Sequence, residues 1–320
     1  MAVRTLVGQK TYTHLLGARR VPSAYEVATS RLLYYVDQGM AVRTPVTAWY
    51  ERWQAGSPLR AADWEAFADP AATTYAAYVQ RRAERELHVS EVLRGAAEGG
   101  DAELPPAYEA ELARALGVLR FPRHALMMTA GYVGSLAPTG RVTTMKAFQV
   151  GDELRHVHRL AERAAQLGDI DAIARASRGD WAEGAPWQPL RRLVEELLAT
   201  YDWGHAFAAL DLVVKPMLDA MAVTELAARA HRAGDVVTRE VLRSLGEDAA
   251  WHRDCAAALV KTAVAQEPRN RAVLAGWIEG WAARAAEACA AVAPVLGVDA
   301  GVARDAQCAL AEACGLGGAP

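Results

Sequence analysis

The chain has 320 residues, 52% of them hydrophobic and 23% charged, with a formal net charge of -3. That balance suits a soluble globular protein and gives no electrostatic reason to expect nucleic acid. No basic N-terminal region precedes an apolar core, so no signal peptide is expected. The longest apolar run, residues 210–223, is interrupted by Asp211, Lys215, Pro216 and Asp219, too polar for a bilayer span. A cytoplasmic protein without a membrane contact is the expectation.

The first 69 residues are rich in aromatics, including Tyr12, Tyr25, Trp49, Trp53 and Trp64. Residues 23–35 predict one short helix, with Ser23 as N-cap and Glu26 completing a capping box. The rest of the segment has neither helical nor strand period and cannot close a core of its own. It reads as an arm that lies on the body of the chain or on a partner.

From Asp69 the pattern is helical. Asp69-Pro70 reads as N-cap and first helical position of a helix reaching Arg94. Pro105-Pro106 opens a second helix, stopped near Phe121-Pro122, and a third follows over residues 122–136. Residues 139–167 predict one long helix ending at Gly168-Asp169. Residues 187–200, 202–233, 235–266, 268–292 and 301–314 follow, each bounded by Gly, Asp or Pro. Lys215-Pro216 predicts a kink. Helices of this length joined by short loops pack as an antiparallel bundle, so the fold class is all-α. Cys255, Cys289, Cys308 and Cys314 match no zinc spacing and read as free thiols.

One constellation suggests metal chemistry. Glu153 and His156 form a Glu-x-x-His pair, whose side chains share a helix face. A carboxylate-bridged dinuclear site in a bundle needs two such pairs and one further Glu on each of two other helices. The second pair is missing. Glu247 is five residues from His252, about 140° away around a helix, and only Asp248 with His252 remains feasible. From Ala113 to Gly151 there is no Asp or Glu, so the helix over 122–136 brings Arg123 and His124 instead. Residues 202–233 offer Asp211, Asp219 and Glu225. The set is incomplete, and the pair reads as a solvated i,i+3 contact rather than a ligand pair. The alternatives are a stand-alone metal- or ligand-binding protein using Glu153 and His156, or an enzyme adding Asp211, Asp248 and His252. His158 is turned away from His156. Arg81-Arg82 and Arg19-Arg20 read as solvated or salt-bridged, and Trp181, Trp187, Trp203, Trp251, Trp277 and Trp281 as filling the bundle core or an interface.

The segments Lys10-Thr-Tyr-Thr-His-Leu-Leu-Gly-Ala-Arg-Arg-Val-Pro-Ser-Ala-Tyr-Glu26, Ser57-Pro-Leu-Arg-Ala-Ala-Asp-Trp-Glu-Ala-Phe67, Asp202-Trp-Gly-His-Ala-Phe207 with Leu212-Val-Val-Lys-Pro-Met217, and Val273-Leu-Ala-Gly-Trp-Ile-Glu279 share one resemblance. They resemble beta subunits of the hydroxylase in bacterial soluble diiron monooxygenases acting on toluene, phenol or alkenes. The resemblance implies a ferritin-like, ribonucleotide-reductase-like bundle over residues 70–320 and an arm over residues 1–69 that wraps a partner. It implies a non-catalytic chain, with no catalytic, cofactor or metal residue of its own and Glu153 and His156 as a vestige. The diiron centre would lie in an alpha subunit. The assembly would hold two alpha, two beta and two gamma chains, with an effector protein docking on it. Electrons would come from NADH through FAD and iron–sulfur groups of a reductase and a Rieske ferredoxin. The arm residues Tyr12, His14, Arg19, Arg20, Tyr25, Trp49, Trp53 and Trp64 are then candidates for the partner interface.

Overall fold

The computed structural model describes Tyr25 and residues 45–316. Helices account for most of it, and no strand occurs among the described residues. A short helix α1, Pro45–Tyr50, continues in a π-helical turn, Glu51–Ala55. Then come α2 (Tyr75–Gly95), α3 (Pro106–Leu136), α4 (Gly140–Gln166), α5 (Ile170–Glu183) and α6 (Gln188–Leu198). The helical run α7 spans residues 203–232, followed by α8 (Val236–Gln266), α9 (Asn270–Leu296) and α10 (Gly301–Ala313). No described helix is long and apolar enough to cross a membrane.

The ends follow local chemistry, with departures from the sequence expectation. Asp69 does not cap a helix. Its carboxylate accepts from the backbone N–H groups of Ala71 and Thr73 and from the Trp251 indole, closing a turn. α2 begins five residues beyond Pro70, where the Thr74 hydroxyl accepts from Ala77 N–H. Pro122 does not end a helix either, because α3 runs through it. A proline in a helix interior costs about 3 kcal/mol. Leu112, Leu116, Leu119 and Leu126 are all fully buried on either side, each contributing about 1.5–3 kcal/mol, so packing wins. Helix α5 was not expected, and Asp169 caps it by accepting from Ala172 N–H.

Helix α7 absorbs Pro216 by changing its winding. Trp203–Phe207 is α-helical, Ala208–Val214 π-helical, Lys215–Asp219 α-helical, Ala220–Glu225 π-helical and Leu226–Arg232 α-helical. A π-turn immediately before the proline shifts the hydrogen-bond register that the missing N–H would break.

Two apolar clusters stack along the bundle. Helix α4 gives Val142 and Met145 to one and Leu160 and Ala164 to the other, while α8 gives Leu259 to the first and Leu242 and Leu245 to the second. The segments between, 146–156 on α4 and 248–252 on α8, carry the polar groups described next.

Candidate functional site

The centre of the bundle is charged and buried. On α4, Asp152, Glu153 and His156 have no solvent exposure, and neither do Arg123 on α3 and Asp248 on α8. Lys215 and Asp219 on α7 are 2% exposed each. Glu153 and His156 are thus not a solvated contact, as their sequence context suggested. They face inward, and Glu153 meets cations rather than water.

The Lys215 ammonium lies 2.5 Å from Glu153 Oε1 and 2.9 Å from Asp219 Oδ2. Arg123 Nη1 donates to Asp219 Oδ1 and lies 3.6 Å from Glu153 Oε2. Two carboxylates from helices α4 and α7 therefore share an ammonium from α7 and a guanidinium from α3. The Lys215–Glu153 approach is close but off the line of a directed hydrogen bond, so both Glu153 oxygens lack a hydrogen-bond partner, as do Arg123 Nε and Nη2 and both His156 nitrogens. His156 is 4.0 Å from Glu153 and 3.7 Å from Asp248, beyond hydrogen-bond reach.

Protonation follows from these neighbours. Burial alone would raise Glu153 and Asp219, but Lys215 and Arg123 more than offset it and hold both carboxyls well below their ordinary values. Burial opposes charge on Lys215, and Asp219 with Glu153 outweighs it, so the ammonium stays protonated. Burial pushes the His156 imidazolium down, which leaves a neutral ring.

A second layer faces α2. Arg82 clamps Asp152 with two hydrogen bonds of 2.6 Å and reaches Asp248 at 2.6 Å. Asp248 also receives Arg85 and Arg155, each at 2.6 Å. Asp152 accepts the Tyr78 hydroxyl at 2.8 Å and pairs with His252 Nε2 at 2.9 Å. Asp248 and His252, the feasible second pair, thus serve different partners. In a third layer Lys146 and Gln149 hold Asp211. Glu225 lies outside the centre, paired with Arg232. His124 and His158 are exposed.

Among the described residues, no group of three His, Cys, Asp or Glu side chains is placed to hold a metal ion. The signal for this was present in the sequence. Asp211, Lys215 and Asp219 are spaced by four within an otherwise apolar run, which puts alternating charges on one buried helix face.

Of the interface candidates, Tyr12, His14, Arg19 and Arg20 lie outside the described residues. Tyr25 is half-buried on this chain, where its hydroxyl accepts from Asp69 N–H at 2.7 Å. Trp49 donates to the Tyr132 hydroxyl at 3.1 Å, and Trp53 sits 5.8 Å from the Tyr201 ring. Trp64 meets Trp203 edge-on at 5.2 Å.

The methane/phenol/alkene hydroxylase family model matches residues 44–267. The hydroxylase component beta subunit of the toluene-4-monooxygenase system of Ectopseudomonas mendocina is 33% identical over 291 residues, 87% of this chain and 89% of that subunit. The chain belongs to the methane/phenol/alkene hydroxylase family. A second relative is an oxygenase component of phenol 2-monooxygenase from Pseudomonas sp. strain CF600, 30% identical over 238 residues, 72% of this chain and 70% of that one. Among solved structures, toluene 4-monooxygenase with toluene in its resting active site matches with a TM-score of 0.83 at 30% identity, over 90% of this chain and 97% of that chain. Phenol hydroxylase from Pseudomonas sp. OX1 shares the fold, with a TM-score of 0.85 at 20% identity over 95% and 93% of the two chains. The fold is therefore the ferritin-like helical bundle of these hydroxylases. A diiron group associated with such bundles does not fit the described residues here. Lys215 and Arg123 project between the carboxylates, and two cations at that point would repel a metal ion.

Proposed function

We propose that the chain is the non-catalytic beta subunit of a multicomponent hydrocarbon monooxygenase hydroxylase. In this reading a partner alpha subunit carries the diiron centre and oxygenates an aromatic or alkene substrate with O2 and NADH-derived electrons. The present chain scaffolds that subunit in a cytoplasmic assembly with gamma, which the effector protein, Rieske ferredoxin and reductase then serve. Residues 1–69 act as an arm on the partner and residues 70–320 as the body. One observation carries the reading: Glu153 of the ligand-type pair Glu153 and His156 is buried against Lys215 and Arg123, so the bundle centre is neutralised by its own side chains. The similarity to a hydroxylase beta subunit along most of the chain supports it.

The test is iron content and turnover of the co-produced hydroxylase carrying Glu153→Gln and His156→Gln. Iron and rate per intact complex are expected to stay at the wild-type level. A fall in iron with the complex intact would place metal in this chain and overturn the reading, as would full activity of the catalytic subunit in the absence of this chain.

A further inference from the structure

Charge inside a helical bundle must be balanced, because an isolated ion in a low-dielectric interior is prohibitively costly. Bundles that gather carboxylates and histidines at their centre commonly balance them with metal ions. Here Glu153 and Asp219 converge from α4 and α7, with the His156 ring beside them, and all three side chains are at least nine-tenths buried. The His156 nitrogens have no hydrogen-bond partner, and the Glu153 oxygens meet Lys215 and Arg123 as ion pairs rather than through directed hydrogen bonds. What fills the position is the Lys215 ammonium, within 3 Å of both carboxylates, with the Arg123 guanidinium behind it.

We propose that Lys215 and Arg123 are covalently tethered substitutes for bound metal, and that Glu153, His156 and Asp219 form a latent divalent-cation site which these two cations keep closed. Two opposing charges are needed to neutralise Glu153 and Asp219, and the pair supplies both. A divalent ion supplies the same two charges. Two carboxylates and an imidazole suit a first-row divalent metal such as zinc, cobalt or iron. Removing one cation leaves one carboxylate charge unbalanced, and removing both leaves a space lined by Glu153, Asp219 and His156, the last 4.0 Å from Glu153. The tethered cations also explain how the chain keeps a charged centre without depending on metal supply.

The test uses the full chain in the assembly in which it purifies, comparing wild type with the Lys215→Ala/Arg123→Ala double variant after Co2+ or Zn2+ is added and excess removed. Metal held elsewhere in the assembly is common to both samples and cancels. The double variant is expected to hold about one additional equivalent per chain, to show cobalt ligand-field absorption, and to lose both when His156→Ala is added. A folded double variant with no additional metal overturns the proposal. If the double variant folds only partly, Co2+ is expected to restore its helical circular dichroism, and failure to restore it counts equally against the proposal. Metal bound by the wild-type chain through His156 would overturn both this inference and the non-catalytic reading, whereas no gain in the double variant overturns this inference alone.

Discussion

Lys215 Nζ stands 2.5 Å from Glu153 Oε1, tying the α-helical segment after Pro216's π-turn to the middle of α4. Both partners are almost wholly buried, so the pair is shielded from salt and water. Its value to the fold lies less in net energy than in the penalty for breaking it, since an unpaired buried charge is far costlier than an absent pair.

That asymmetry gives the first prediction. Lys215→Met leaves Glu153 and Asp219 facing each other with Arg123 as their one remaining counter-cation, and is expected to destabilise the chain by about 3–5 kcal/mol. Adding Glu153→Gln is expected to recover much of the loss, because the charge count is restored. Denaturant unfolding of the two single variants and the double completes a cycle whose coupling term decides the matter. Strict additivity would mean that the two groups do not interact.

A second prediction concerns pH. His156 has its folded-state value pushed below 6.5 by burial, so the unfolded chain binds a proton first as pH falls. Its contribution to stability is present above pH 6.5 and is lost below it, at up to about 1.4 kcal/mol per pH unit. Glu153 and Asp219, depressed by Lys215 and Arg123 against the opposing effect of burial, add a further loss below their ordinary values of 4.5 and 3.8. Stability should therefore decline in two acid steps, and His156→Gln should flatten the upper one. Unfolding midpoints measured from pH 8 to pH 2 test this; an upper step that survives the substitution belongs to another group, such as the half-buried His205.

How much of this could be read beforehand depends on the range of the interaction involved. Helix lengths and most ends were legible, because caps such as Asp202 and Asp235 act within three residues. The missing second Glu-x-x-His pair was legible for the same reason. Pro122 departs from its local rule because the compensating force is burial of leucines on either side, which local rules do not weigh. The burial of Glu153 is not legible along α4, because its partners Arg123 and Lys215 come from α3 and α7. Asp211, Lys215 and Asp219 carried the missing information as a charged stripe inside an apolar run.

The third prediction tests close packing. At Gly117 on α3 a Cβ would fall 2.2 Å from Ser177 Oγ and 3.0 Å from Ile173 Cγ2 on α5. Ser177 is fully buried and its hydroxyl donates to the Ile173 carbonyl at 2.6 Å, so it has no room to turn away. Gly117→Ala is expected to force the two helices apart at a cost of about 1–3 kcal/mol, offset only in small part by the better helix propensity of alanine. The remedy follows from the geometry. Ser177→Ala removes the nearest atom and leaves its Cβ 3.3 Å from the new methyl, which a few tenths of an ångström of adjustment can absorb. The double variant should regain most of the lost thermal midpoint, whereas Ser177→Ala alone should change it little, since the hydroxyl's hydrogen bond is local to α5. A Gly117→Ala chain as stable as wild type would mean that α3 and α5 separate freely at this point. That would remove the steric reason for a glycine between Leu116 and Val118 in the middle of this helix.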